Sequence, residues 1–161
     1  MANQFSKVKV KKVNRGLFSL LCGGLKAYCA LSGIRISFEN RVGSLPEGPA
    51  VVLCNHGSFF DFAYAGTALR KCYPHFVTAR LYFYHKWLSR LLQAPGSFPK
   101  SMFAIAVECT KNILRVLEQG EVLVMMPEAR LSTVGQFEDI QGGTFSFLKK
   151  VGVPVYTLRI C

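Results

Sequence analysis

The stretch PAVVLCNHGSFFDFAYAG, residues 49–66, decides the fold. It begins as a continuous apolar run over residues 50–54, the pattern of a strand covered on both faces. It turns polar at Asn55 and His56, and a helical pattern follows over residues 59–71. A fully buried strand that runs directly into a helix is the repeating unit of an α/β sheet.

The flanking sequence repeats this alternation. Upstream, GIRISFEN (33–40) alternates with period two and predicts a strand. Downstream, PHFVTAR, EVLVMMP and VPVYTLRI predict three more, separated by helical patterns over residues 81–93 and in SMFAIAVECTKNILRVLEQG. The latter sets Phe103, Ala106, Val107, Thr110, Ile113, Leu114 and Leu117 on one face and stops at Gly120, a helix C-cap. The Pro- and Gly-rich segments GSLPEGP and QAPGSFPKS read as loops within the domain. The expected architecture is α/β, a mostly parallel central sheet flanked by helices, with an N-terminal amphipathic helix.

At 161 residues the chain suits one domain, divided here into a basic amphipathic segment, 1–32, and a main domain, 33–161. In the segment, the uncharged run over residues 16–25 is too short for a bilayer span, which needs about 20 residues. Two placements remain open. Lys7, Lys9, Lys11, Lys12 and Arg15 can face anionic headgroups while Leu17, Phe18, Leu20, Leu21 and Leu25 dip into lipid, or the helix packs on the core.

The net charge of +11, from 20 basic against 9 acidic residues, points to an anionic partner. No helix-turn-helix, zinc-finger or RNP pattern accompanies it, so nucleic acid is not expected, which leaves an anionic membrane surface or a phosphate-bearing substrate. Six cysteines without paired spacing read as free thiols, and three histidines without HxxxH or HExxH predict no metal site.

In open α/β sheets, sites collect where strand carboxyl ends meet helix N-termini, and residues 55–61 fall there. Ser58 and Asp61 have the spacing of a helix cap. On a continuous helix His56 and Asp61 would point about 140° apart, so they meet only if His56 precedes the helix. Asp61 then accepts from one ring nitrogen and leaves the other as a general base. Glu128 and Arg130, leaving the end of a strand, read by themselves as a surface ion pair; in a site they could bind a polar head, the arginine matching a phosphate.

These residues resemble a known family. NHGSFFD (Asn55, His56, Ser58, Asp61) matches the N-H-x-S-x-x-D signature of the glycerolipid acyltransferases, the lysophosphatidic acid acyltransferase group. MPEARLS resembles the family's third motif through Pro127, Glu128, Arg130 and Ser132, with Ala129 replacing a glycine. PGSFPKS resembles the second, with Gly96, Phe98 and with Lys100 for the usual arginine. VGVPVYTLRI resembles the closing strand, with Thr157 where a second proline is common.

The resemblance spans roughly residues 34–160. It implies the glycerol-3-phosphate acyltransferase-like fold and transfer of a fatty acyl chain to a lysophospholipid hydroxyl, most simply 1-acylglycerol-3-phosphate to phosphatidic acid. His56 and Asp61 would be catalytic. Asn55, Ser58, Gly96, Lys100, Glu128 and Arg130 would bind substrate, with Ser58 read better as a cap than as a nucleophile. Acyl-CoA or acyl carrier protein would donate the chain, no bound cofactor or metal is implied, and the protein would sit peripherally on the cytoplasmic side of the membrane. Family members usually continue past the closing strand, so the chain is expected to be either short at its C-terminus or a fragment. The alternative is a membrane-bound scaffold of the same fold with little activity, suggested by Ala129, Lys100 and Thr157. Retention of His56, Asp61, Glu128 and Arg130 favours the enzyme.

Overall fold

The computed structural model describes residues 10–100, 107–128, 140 and 143–161. Among these, five strands form one parallel sheet in the order β3-β2-β4-β1-β5: β1 (Ala50–Cys54), β2 (His75–Ala79), β3 (Phe98–Lys100), β4 (Val122–Met125) and β5 (Val155–Leu158). The helices are α1 (Arg15–Leu31), α2 (Asp61–Ala68), α3 (Lys86–Gln93), α4 (Val107–Glu118) and α5 (Gly143–Val151).

Strand alternation divides the core in two. Val52, Cys54, Val122 and Val124 point to the face covered by α1 and α2, meeting Phe18, Cys22, Ala65 and Leu69. Val51, Leu123 and Met125 point to the other face, against Cys109, Ile113, Val116 and Leu117 of α4 and Leu148 of α5. Successive residues of β1 and β4 are thus wanted by opposite layers, which is why both strands read as unbroken apolar runs. The α/β expectation holds.

Four local expectations are corrected. Residues 34–40 keep their period-two pattern but form no strand, and Ile34 and Phe38 are exposed; alternation marks a strand only where a neighbouring strand supplies the ladder. QAPGSFPKS, read as loop, contains β3, whose one proline, Pro99, is tolerated because β3 lies at the sheet edge. The 81–93 helix is broken, a 3₁₀ turn at Arg80–Phe83 preceding α3. On α4 the buried face is Cys109, Asn112, Ile113, Val116 and Leu117, while Val107 and Leu114 of the expected face are exposed. Phe103 and Ala106 lie outside the described residues. Gly120 ends the α4 region at φ +76°, as a C-cap should.

The N-terminal helix packs one side on the core. Phe18, Cys22 and Cys29 are buried, whereas Leu20, Leu21, Tyr28 and Leu31 are exposed. Of the residues expected to dip into lipid, Phe18 therefore belongs to the core and Leu17 and Leu25 are half-buried. Among the described residues no helix is long and apolar enough to cross a membrane. All six cysteines are free.

Candidate active site

Chain topology opens a crevice between β1 and β4. The two strands are neighbours, paired as far as Leu53 and Met125. From β1 the chain leaves to α2 on one face, and from β4 it proceeds to α5 on the other. Such a divergence leaves the strand carboxyl ends uncovered. His56 and Glu128 each stand three residues beyond that last pair, on the two sides of the opening.

His56 lies in the turn before α2, and its Nδ1 is 3.1 Å from Asp61 Oδ2. The carboxylate is 1% exposed and the imidazole 22%. The same oxygen accepts the Ser58 backbone N–H at 2.7 Å, which fixes it before any substrate arrives. A carboxylate only accepts, so Nδ1 carries the proton in this contact, and in the neutral ring Nε2 keeps its lone pair. The arrangement expected for His56 and Asp61 is formed.

The capping expectation is half right. α2 starts at Asp61, and its N-cap position, Phe60, has no side-chain cap. Ser58 Oγ instead accepts from Phe60 N–H at 3.2 Å, two residues on, closing the turn that carries His56. The acid half of the cap forms, because Asp61 reaches back to the Ser58 N–H.

Glu128 is 5% exposed, and its Oε2 has no hydrogen-bond partner among the described residues. A buried orphan acceptor costs about 1–3 kcal/mol unless something donates to it. Cys54, at the end of β1, senses both acids. Burial first, then the Asp61 and Glu128 carboxylates, push its thiol up to about 12. Cys54 is thus held as a neutral packing group and does not act as a nucleophile.

The other expected site residues disperse. Asn55 spends its amide on the chain after β5, donating Nδ2–H to Ile160 O (2.9 Å) and accepting Ile160 N–H (2.7 Å). Lys100 ends the edge strand β3, three strand spacings or roughly 14 Å from β1. Gly96 lies at the opposite pole, before β3 begins, where its carbonyl accepts from His75 Nδ1 at 2.9 Å. Its φ is +87° and an added Cβ would stand 2.7 Å from that nitrogen, so its glycine character answers to packing. Arg130, with Ala129 and Ser132, lies outside the described residues.

A second histidine–carboxylate pair, fully buried His75 with Glu121, was not singled out from sequence. Its partners are 46 residues apart and carry no local pattern. Both ring nitrogens are occupied, by Gly96 O and by Glu121 Oε2, so the ring clamps β2, the start of β4 and the approach to β3. A cleft of 790 Å³ lined by Lys12, Arg15, Lys71, Tyr73 and Glu121 opens at this same amino end of the sheet, away from His56.

A family model described as Acyltransferase matches residues 35–161. Among solved structures, the chain is similar to the crystal structure of the 1-acyl-sn-glycerophosphate (LPA) acyltransferase PlsC from Thermotoga maritima, with a TM-score of 0.69 at 15% sequence identity. The match covers 86% of this chain and 55% of that one, so this chain spans about half the length of that relative. At this identity the likeness is one of fold.

Proposed function

The chain belongs to the acyltransferase family, and from that premise we propose that the crevice between β1 and β4 transfers a fatty acyl chain from a thioester carrier to a lysophospholipid hydroxyl. The observation that carries this reading is the His56 ring, held by Asp61 through Nδ1 and with no partner on Nε2 among the described residues, at the mouth of that crevice. His56 Nε2 takes the proton as the hydroxyl oxygen attacks the thioester carbonyl. The tetrahedral intermediate collapses, the C–S bond breaks, and the leaving sulfur receives the proton from His56. Asp61 faces the imidazolium formed between the two steps.

Glu128 supplies an acceptor for a hydroxyl of the glycerol portion, which would satisfy its orphan Oε2. Lys100, with Arg130, holds the phosphate. The acceptor in this reading is 1-acylglycerol-3-phosphate and the product phosphatidic acid, with acyl-CoA or acyl carrier protein as donor. A peripheral position on the cytoplasmic side of the membrane accompanies it, supported by the charge of +11.

Release of the carrier thiol, measured with acyl-CoA and acyl carrier protein donors against a panel of lysophospholipids, tests the proposal. Thiol release must depend on acceptor and fall at least about a hundredfold in His56→Ala. Equal rates in wild type and variant would overturn it.

A further inference from the structure

Seven large apolar side chains stand exposed beside the candidate site. Phe59, Phe60 and Phe62 border the turn that carries His56, and Leu81, Tyr84, Trp87 and Leu91 follow on the 3₁₀ turn and α3. An edge-on contact between Phe59 and Tyr82, with ring centroids 5.4 Å apart, joins the two groups.

The arrangement on α3 is unlike that of an ordinary surface helix, which turns its apolar stripe inward. Trp87 and Leu91 fall at i and i+4, a single stripe, and both are exposed, Trp87 at 69%, as is Tyr84 just before the helix. Leu88, Ser89, Leu92 and Gln93, further round the helix, are half-buried, and no α3 residue is fully buried. At 100° per residue, Lys86 and Arg90 fall between the stripe and the Gln93 edge of the half-buried face, and both are exposed. At ~200 Å² per aromatic side chain, the five exposed aromatics alone present roughly 500 Å². With two leucines added, the patch passes the ~300–600 Å² that is the largest on a typical soluble monomer.

We propose that this face docks on an anionic lipid surface, so that the mouth holding His56 opens towards the bilayer. Charge selects the occupant. Lys86 and Arg90 flank the stripe in a chain of net charge +11, so a second copy would bring like charges together, whereas anionic headgroups neutralise them. The side-chain types agree, because tryptophan and tyrosine favour the depth where headgroups meet acyl chains. The proposal deepens the acyltransferase reading and rests on it only for the purpose of docking; adsorption itself needs no catalysis.

Trp87 is the chain's one tryptophan, so its emission reports on this face alone. The full chain is titrated with vesicles of phosphatidylcholine alone and of phosphatidylcholine mixed with phosphatidylglycerol, and flotation is measured in parallel. The expected result is a blue shift and co-flotation with the anionic vesicles, weakened by salt and by Lys86→Glu with Arg90→Glu. Tyr84→Ser with Leu91→Ser should lower partition at least about tenfold, since burying one large apolar side chain is worth more than a decade in an equilibrium constant. Both positions are exposed, and circular dichroism should show the fold unchanged.

Failure to float, or flotation with unshifted Trp87 emission, would overturn the proposal. So would a lipid-independent shift that grows with protein concentration and accompanies a dimer in sedimentation. His56→Ala should dock as wild type does. Docking without acyl transfer in the wild type would refute the acyltransferase reading alone.

Discussion

If Asp61 serves catalysis only through His56, removing it from a protein that already lacks the imidazole should cost no further rate. The facing atoms are 3.1 Å apart and the carboxylate is 1% exposed. When His56 takes up the hydroxyl proton, the new charge gains up to about 5 kcal/mol from Asp61 at an effective dielectric of ~20. Part of that is already present in the Nδ1–H hydrogen bond of the resting ring, so Asp61→Asn should lose about 3–4 kcal/mol of transition-state stabilisation, or ~10²–10³ in kcat. Asparagine keeps an oxygen for the Ser58 N–H, and the turn should survive. His56→Ala should lose ~10²–10⁴. Independent effects would multiply to about 10⁴–10⁷; the geometry predicts that the double variant is no slower than His56→Ala. Single-turnover thiol release for the four proteins measures the cycle, with denaturant unfolding of each as the control for folding. A further tenfold loss on adding Asp61→Asn to His56→Ala would refute the positioning role.

Three further outcomes follow from the geometry. Asn55→Ala should lower stability by about 1–3 kcal/mol, because both hydrogen bonds to Ile160 are lost; a fully stable variant with a raised acceptor KM would return Asn55 to substrate binding. Gly96→Ala should cost about 1–3 kcal/mol by thermal unfolding, from a positive φ and a 2.7 Å approach to His75 Nδ1 and Val13 Cγ2. Burial raises Cys54 from 9.0 to about 12, and Cys109 to about 11, so above pH 9 the unfolded chain holds fewer protons than the native state. Stability should therefore fall as pH rises from about 9 towards about 12, each thiol contributing a loss of about 1.4 kcal/mol near pH 10. Denaturant unfolding at about pH 8 and about pH 10 reads the slope, which Cys54→Ala should flatten.

Local sequence carried much of the site. The apolar run of β1, the polar turn and the helix that follows set His56 ahead of Asp61, and five residues of chain suffice to bring their side chains together. The same short range made Ser58 ambiguous, since a hydroxyl three residues before the first helical residue closes a turn as readily as it caps a helix. Asn55 shows the limit. Its place in the motif is plain in the sequence, but its partner, Ile160, lies 105 residues away and enters reach only once β5 pairs with β1.

The sequence by itself determined the layered α/β class and the His56–Asp61 pair, because hydrophobic periodicity and a five-residue contact are both local properties. Only the tertiary structure decided which expected residues share a pole of the sheet. Strand order sets Glu128 and His56 at the carboxyl ends of neighbouring strands, puts Lys100 three strands from β1, and sends Gly96 to the far end under His75. It also decided that residues 34–40 stay outside the sheet and that the α3 stripe faces outward. Pairing and burial depend on which neighbours arrive from distant parts of the chain, and a periodic pattern states only what a segment can offer them.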